Sequence, residues 1–178
     1  DLCLSIFWWA KFRKHKGGIK LHTLYDVKTS IPSFLYITNA IVHDVNIMDI
    51  IPYEEGSFYV ADKGYTDFLR LYKIHTNGSF FVTRAKENLR FKRMYSRAVD
   101  ETTGVQSDHI GKLEIYKSKN EYPEKLRRIK FYDAEHDKDL VFLTNNMDLK
   151  ASEIAFLYKK RWAVELFFKW MKQQLKIK

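Results

Sequence analysis

Four polar residues near the C-terminus have a spacing that could support chemistry on a metal ion or a phosphate. Tyr158, Arg161, Glu165 and Lys172 follow the pattern YxxRxxxExxxxxxK. The surrounding stretch, Lys150 to Leu175, contains no Gly or Pro and is rich in Lys, Leu, Ala and Phe, which predicts one long helix. At about 100° per residue, the four side chains lie on one side of that helix, within about 60° of one another.

The remaining positions of this predicted helix are mostly apolar, which is typical of a buried helix. They include Phe156, Leu157, Trp162, Val164, Leu166, Phe167, Trp170 and Met171. A carboxylate held among such residues needs a partner, and a metal ion could supply it. The alternative is an ordinary Arg161–Glu165 pair on a solvated face, worth a few tenths of a kcal/mol.

A second candidate carboxylate follows a short apolar run. Phe58 to Val60 predicts a strand, with Gly56 before it and Gly64 after it, and Asp62 comes at its C-terminal end. That end of a strand is where α/β sheets place their chemistry. The alternative is an Asp that ends the strand and caps the helix beginning near Thr66.

Together, the two segments resemble the signatures of the DDE transposases of bacterial insertion sequences. The C-terminal pattern matches the subgroup defined by Tyr, Arg, Glu and Lys at this spacing, and the Asp62 block has the apolar strand, Asp, basic residue, Gly and aromatic of the family's second-aspartate motif. The resemblance extends from Phe7 to Lys178. It implies an RNase H-like α/β fold, a mixed sheet with flanking helices and a β-rich insertion before the last catalytic helix. Periodicity alone predicts only an α/β protein with a mixed sheet.

The order of elements divides the chain into three predicted segments. Residues 1–85 are the first part of the RNase H-like core, 86–140 the β-rich insertion, and 141–178 the last strand and the catalytic helix. Strands are predicted over Gly18–Asp26, Ser33–Ala40, Ser79–Arg84 and Val141–Asn145, with helices over His43–Ile51, where Asp44 is the predicted N-cap, and Asp67–His75.

Composition bounds the class of protein. Hydrophobic residues make up 46% and charged residues 30% of 178 residues, which is typical of a folded domain. No apolar run is long enough to span a membrane, so we expect no membrane partner. The single cysteine, Cys3, excludes an internal disulfide and fits a reducing cytoplasm. The resemblance implies a bacterial cytoplasmic protein associated with the nucleoid.

The net charge of +9 indicates an anionic partner. Its densest N-terminal cluster contains Lys11, Arg13, Lys14 and Lys16, together with Lys20, His15 and His22. Such clusters favour binding to the phosphate backbone of double-stranded DNA. The alternative is a solvated basic surface.

The resemblance implies strand cleavage and strand transfer at transposon ends. Asp62 and Glu165 would be the catalytic residues and hold two Mg²⁺ (or Mn²⁺) ions about 4 Å apart. Arg161 and Lys172 would grip DNA phosphates, and Tyr158 would hydrogen-bond a phosphate or stack on a base. Pairing of transposon ends, and their joining to target DNA, would suggest a dimer on DNA.

The first aspartate of the family has no counterpart in this sequence. Asp1 is the only acidic residue before Asp26, and Leu2 to Ser5 does not match the family's block. Asp26 and Asp44 are poorer substitutes, because one precedes a turn and the other is better explained as a cap. We therefore expect that the chain begins just after the missing aspartate, ends close to a helix, and is inactive by itself. Two other functions stay open: an RNase H-like nuclease without strand transfer, and a non-catalytic DNA-binding relic.

Overall fold

The computed structural model describes residues 11–13 and 16–174, with side chains from residue 18 to residue 174. The chain divides into two compact units. One unit is Tyr53–Arg161, and the other contains the described residues up to Pro52 together with those from Trp162 onwards.

Strands and helices follow one another along the described residues. The strands are β1 (Lys11–Arg13), β2 (Lys16–Gly17), β3 (Ile19–Asp26), β4 (Ile31–Asn39), β5 (Phe58–Ala61), β6 (Phe80–Arg84), β7 (Phe91–Ser96), β8 (Val105–Leu113), β9 (Leu126–Asp133) and β10 (Lys138–Thr144). The α-helices are α1 (Phe68–Thr76), α2 (Tyr116–Glu121), α3 (Ala151–Lys159) and α4 (Trp162–Gln174), and short 3-10 helices occupy Asp44–Asp49, Lys63–Tyr65 and Glu101–Thr103.

A six-stranded mixed sheet organises the Tyr53–Arg161 unit, in the order β5-β6-β10-β9-β8-β7. β5 and β6 are parallel, and every other neighbouring pair is antiparallel. This mixed sheet with flanking helices is consistent with an RNase H-like fold and confirms the predicted fold class. The segment 86–140 supplies β7, β8 and β9, which pair antiparallel and continue the same sheet. The division into three segments stays a prediction.

The two faces of this sheet are covered by different helices, because side chains alternate along each strand. On one face, called the α3 face below, Phe142 packs with Ile154 of α3 in the main hydrophobic cluster. The opposite face, called the α1 face, carries Phe81 beneath α1 and α2, where its ring lies edge-on to Tyr122 at 6.0 Å between centroids. Each face thus has its own apolar core.

A buried ion pair on the α3 face fixes the start of α3. Arg127 of β9 and Asp108 of β8 are 1% and 3% exposed, and two hydrogen bonds of 2.9 and 2.7 Å join them. The same guanidinium donates to the carbonyl oxygens of Leu149 at 2.6 Å and Asn146 at 3.4 Å. These carbonyls belong to the connection between β10 and α3, so the segment predicted as an insertion anchors the helix that follows it.

The single long helix predicted over Lys150–Leu175 is wrong, because α3 ends at Lys159 and α4 begins at Trp162. Between them the hydrogen bonds tighten from i→i+4 to i→i+3, and the Arg161 N–H donates to the Tyr158 carbonyl at 3.0 Å. Lys160 keeps ordinary right-handed geometry, with φ −62° and ψ −18°. No Gly or Pro is needed for such a turn, so the sequence carried no signal for it.

The break also divides the predicted polar stripe. Tyr158 and Arg161 lie at the end of α3, whereas Glu165 and Lys172 lie on α4. The expected burial of the whole helix is wrong as well, since no described residue of α4 is buried. In α3 the expectation holds for Ile154, Ala155 and Tyr158.

The other unit contains the hairpin β3–β4, which confirms two predicted strands. Near its open end, Lys20 forms an ion pair with Asp44 at 2.9 Å. The predicted N-cap role of Asp44 is wrong, because the cap is His43, without a side-chain hydrogen bond. On α4 of the same unit, Phe167 contacts Tyr25 with ring centroids 5.3 Å apart.

The remaining element predictions are confirmed within a few residues. Asp67 caps α1 by accepting from the Arg70 N–H at 3.0 Å, and Asn77 is its C-cap. β6 and β10 match the other two predicted strands. Within the described residues, no helix is both long and apolar enough to cross a membrane.

Candidate active site

Asp62 lies at the C-terminal end of β5, as predicted, and its carboxylate is held in place. Oδ1 accepts the Lys63 N–H at 2.7 Å, which makes Asp62 the N-cap of the 3-10 helix Lys63–Tyr65. The Tyr158 hydroxyl donates to the same oxygen at 3.3 Å. Among the described residues, both hydrogen bonds to this carboxylate reach Oδ1, so Oδ2 is the oxygen left for a ligand. A carboxylate oriented in this way suits a hard cation.

Tyr158 is the residue that joins α3 to this strand end. Its side chain is 6% exposed, and its ring lies 4.8 Å from that of Phe142, between centroids. Burial and the nearby Asp62 charge raise the pKa of the Tyr158 hydroxyl, against the opposing charges of Arg161 and Arg84. The hydroxyl therefore stays protonated at neutral pH and can donate to Asp62.

Cations surround the Asp62–Tyr158 pair. The Arg161 guanidinium lies 5.7 Å from the centre of the Tyr158 ring. Arg84 follows Thr83, the residue of β6 that pairs with Ala61 of β5. Since β5 and β6 run in parallel, Asp62 and Arg84 extend from the same end of the sheet. This arrangement can hold a phosphate beside a carboxylate.

Arg84 was missed by the sequence analysis, although a signal existed. Asp62 and Arg84 both come at the C-terminal end of a predicted strand. Two such strands in parallel place their last residues side by side, and a β-strand, α-helix, β-strand order predicts a parallel pair. The predicted order of β5, α1 and β6 could therefore have indicated Arg84 as a neighbour of Asp62.

Glu165 and Lys172 belong to the other unit. Both side chains are exposed on α4, Glu165 in the first turn and Lys172 in the last. The helix dipole favours both placements, an acid near the N-terminus and a base near the C-terminus. Their spacing of seven residues keeps them on one side of α4. The structure thus groups Asp62, Tyr158 and Arg161 in one unit, and Glu165 with Lys172 in the other.

The four residues predicted as the N-terminal DNA-binding cluster have no described side chains. Lys14 is not among the described residues, and Lys11, Arg13 and Lys16 are described only by their backbone, in β1 and β2. Two further members of the cluster are described. Lys20 is paired with Asp44. His22 is buried, its Nε2 lies 2.8 Å from Thr38 Oγ1, and burial lowers its pKa.

The two substitutes considered for a third carboxylate ligand are engaged elsewhere in the hairpin unit. Asp26 accepts from the Lys28 N–H and the Thr29 hydroxyl, each at 2.8 Å, and so closes the β3–β4 turn. Asp44 pairs with Lys20. Asp1 lies outside the described residues.

A group of residues other than the predicted ligands has the spacing of a metal site. In the described part of the chain, Asp133, Glu135 and His136 bring one ligand atom each within 4.8 Å of one another. The Lys159 ammonium lies among them, 3.0 Å from Asp133 and 3.7 Å from Glu135. Burial raises the pKa of Asp133, but hydrogen bonds from Lys159 and His136 outweigh it and hold the pKa below its usual value. A lysine of the chain itself thus balances this group's charge.

Comparison with known proteins finds similar sequences among transposases. The "Transposase DDE domain" family matches residues 6–178. The chain is 37% identical over 174 residues to the "Putative transposase y4zB" of Sinorhizobium fredii, covering 96% of this chain and 48% of that protein. It is 28% identical over 171 residues to the "Probable transposase for insertion sequence element IS5377" of Geobacillus stearothermophilus, covering 95% and 44%.

A third relative is the "Putative transposase for insertion sequence element IS4SA" of a Synechocystis species, 25% identical over 170 residues, with 89% of this chain and 45% of that protein covered. The chain spans just under half the length of these relatives. Since the family match extends over nearly all of its residues, the chain belongs to the transposase DDE-domain family.

Proposed function

We propose that this domain contributes to metal-dependent cleavage and transfer of DNA strands at transposon ends. The observation that carries the proposal is the Asp62 carboxylate at the end of β5, held on one oxygen by Lys63 and Tyr158. Membership of the family supports the same chemistry. Duplex DNA, both transposon end and target, is the proposed substrate.

Asp62 and Glu165 are the proposed ligands for Mg²⁺ or Mn²⁺. Their carboxylate oxygens match the preference of these ions for hard donors. When bound, a pair of such ions activates the attacking oxygen and stabilises the leaving oxygen of a phosphodiester. The lysine-filled group of Asp133 and Glu135 is not part of this proposal, because an ammonium already lies between its carboxylates.

The neighbouring residues have proposed roles in holding the substrate and the ligand. Arg161 and Arg84 beside Asp62, and Lys172 on α4, bind DNA phosphates. A DNA contact of Tyr158 stays a prediction. Because the ring is nearly buried and its hydroxyl donates to Asp62, we assign Tyr158 the role of orienting that carboxylate.

Several finer points belong to the same proposal. Two copies pair two transposon ends on DNA, in the bacterial cytoplasm at the nucleoid. Residues 1–178 alone bind duplex DNA but do not cut it, because Asp62 and Glu165 supply only part of the ligand set that a two-ion centre needs. The predicted contacts of Lys11, Arg13, Lys14 and Lys16 with DNA stay proposals of the same kind.

Titration with Mn²⁺, followed by electron paramagnetic resonance, tests the metal site directly. Asp62→Asn and Glu165→Gln should each weaken Mn²⁺ binding about tenfold or more. The matched controls Asp148→Asn and Glu114→Gln remove exposed carboxylates elsewhere and should bind as the wild type. Equal binding by all four variants would contradict the proposed ligands, and no Mn²⁺ response at all would favour the non-catalytic relic.

DNA assays test the remaining claims. Vigorous Mg²⁺-dependent nicking by residues 1–178 would contradict the proposed inactivity and would assign a third ligand to Asp1, Asp26 or Asp44. In any preparation that does nick DNA, the fate of the cut 3′ end separates two functions. Its joining to a target duplex supports transfer, and hydrolysis without joining supports the RNase H-like nuclease.

A further inference from the structure

Part of the α1 face carries two arginines and a histidine on neighbouring strands. Arg128 of β9 pairs across the strands with His109 of β8. Arg93 of β7 pairs with Gly111, which lies two residues beyond His109 and therefore on the same face. Arg93 is exposed, and His109 and Arg128 are partly exposed. These three residues are called the basic strip below.

Among the residues that the structure describes, the basic strip has no acidic ion-pair partner. Within the described residues, no carboxylate forms an ion pair with Arg93, His109 or Arg128. The nearby Asp108 points to the α3 face, where it pairs with Arg127. Like charges on neighbouring strands are destabilising, so this arrangement favours an external anion between them.

The packing of Arg128 against an aromatic ring favours the binding of an anion to the basic strip. The Arg128 guanidinium lies 5.7 Å from the centre of the Phe91 ring on β7, an attractive cation–π distance. This contact limits the motion of the guanidinium without occupying its hydrogen-bond donors. An arginine fork held in this way binds phosphate oxygens with little further loss of conformational freedom.

We propose that Arg93, His109 and Arg128 form a phosphate-binding strip that contacts the backbone of duplex DNA on the sheet face opposite to Asp62 and α3. The inference depends on the proposed function only in taking duplex DNA as the partner. It assigns DNA binding to a second surface of the domain, made by β7, β8 and β9. Charge complementarity supports it, because two adjacent arginines, with an imidazole that becomes cationic when protonated, match a chain of phosphates.

His109 makes this contact sensitive to pH. Burial, together with the charges of Arg93 and Arg128, lowers the pKa of His109 in the free protein, against the opposing charge of Asp108. A phosphate seated on the strip offsets the two arginines and favours the protonated imidazole. Binding is therefore coupled to proton uptake, and affinity for duplex DNA rises as the pH falls.

Because the strip lies on the face opposite to Asp62, it contributes to affinity and not to the chemical step. Loss of the strip should raise the DNA concentration needed for half-maximal turnover in any preparation that cuts DNA. The turnover number at saturating DNA should stay near that of the wild type. Loss of Asp62 should have the opposite pattern.

The test measures duplex affinity against salt concentration in EDTA, with the 178-residue chain. Arg93→Gln and Arg128→Gln should each flatten the log–log salt dependence by about one, and the double variant by about two. Lys119→Ala and Lys138→Ala remove exposed cations elsewhere and serve as controls, with slopes near that of the wild type. Arg128→Lys keeps the charge and should keep the slope. Circular dichroism checks that each variant is folded.

A pH series completes the test. Between about pH 7.5 and about pH 5.5, wild-type affinity should rise, and His109→Gln should rise less. Wild-type slopes in both arginine variants would overturn the proposal and would leave the strip to another anion, such as an acidic protein segment. Equal losses in the lysine controls would overturn it too, since binding would then follow net charge alone. The absence of metal keeps these outcomes separate from failure of the proposed active site.

Discussion

Arg127 and Arg128 are consecutive in the sequence, yet they occupy opposite environments. Arg127 points to the α3 face, is 1% exposed and is bound to Asp108 and to two carbonyls beside α3. Arg128 points to the α1 face, is partly exposed and lies over Phe91 with His109 beside it. Arg127 stabilises the fold, and we propose that Arg128 binds DNA phosphates.

The comparison shows why counting charges along a chain does not locate a binding surface. Both arginines contribute equally to the net charge of +9. The alternation of side chains along β9 sends them to opposite faces. What each face contains, a buried aspartate or another cation, then decides whether the charge is neutralised inside the protein or left for a partner.

The largest expected difference in stability between variants of the two arginines comes from removal of the buried one. Arg127→Ala should lower the free energy of unfolding by about 3–5 kcal/mol, because it leaves buried Asp108 without its bidentate partner and with only the longer contact to Arg97, at 3.8 Å. Arg128→Ala should cost under about 1 kcal/mol, because this partly exposed side chain has no buried ion-pair partner among the described residues. Urea unfolding of both variants measures the difference.

A double substitution sharpens this result. Arg127→Met combined with Asp108→Leu removes both charges and should recover most of the loss, as is common for buried pairs replaced by apolar residues. Similar losses for Arg127→Ala and Arg128→Ala would show that the two environments do not differ in the way described.

Gly111 on the α1 face should give the next largest effect. A Cβ on this residue would lie 2.1 Å from the Lys92 carbonyl oxygen and 2.8 Å from the Phe91 ring. Gly111→Ala should displace β7 and cost about 1–3 kcal/mol. It should also weaken duplex binding, because Arg93 moves with the strand. Ala substitution at Gly64, which has open space around it, is the matched control; a wild-type unfolding midpoint for Gly111→Ala would contradict the close approach.

Removal of one tyrosine hydroxyl from each face of the sheet should change stability by a smaller amount. Tyr158→Phe should lose about 0.5–1.5 kcal/mol, because a nearly buried hydrogen bond to Asp62 disappears. Tyr132 donates to Asp137 at 2.8 Å on an exposed part of β9, and Tyr132→Phe should change stability by less than about 0.5 kcal/mol. Thermal unfolding distinguishes them, and Mn²⁺ affinity should fall only for Tyr158→Phe.

The pH dependence of stability should give the smallest effect. The His109 pKa in the folded state is below its usual value of 6.5, so the unfolded chain binds the proton more tightly. The contribution of His109 is therefore complete above the unfolded-state pKa of about 6.5 and is lost as the pH falls below it, through the lowered pKa of the folded state. Unfolding free energies measured across this range should fall less steeply for His109→Gln. An identical slope would show that the imidazole is not perturbed by Arg93 and Arg128.

Local patterns predicted much of the fold. The alternating run Gly18–Asp26 and the apolar run before Asp62 predicted strands near the observed bounds, and the helix predicted over Asp67–His75 lies within one residue of α1 at each end. The break after Lys159 was not predictable in the same way. Its backbone stays right-handed and uses no Gly or Pro, so the residues on either side satisfy every local requirement of a continuous helix.

The sequence predicted some of the residues of the candidate site, but it did not predict the contacts between them. Asp62 and Tyr158 were identified separately, but the hydrogen bond between them joins positions 96 residues apart, which no local pattern encodes. Arg84 required knowledge that β5 and β6 are neighbours. The separate environments of Arg127 and Arg128 required knowledge of which face of β9 meets α3.

The buried pair of Arg127 and Asp108 also bears on how β8 and β9 find their correct register. A slip of β9 by two residues would keep Arg127 on the α3 face, since side chains alternate, but would move it about 7 Å along the strand from Asp108. Asp108 would then lie inside without its bidentate partner, at a cost of several kcal/mol. Apolar strands tolerate such slips more easily, because one buried hydrocarbon resembles another. The ion pair thus discriminates against misfolded pairings of the sheet, which is a separate contribution from the stability it gives to the correct one.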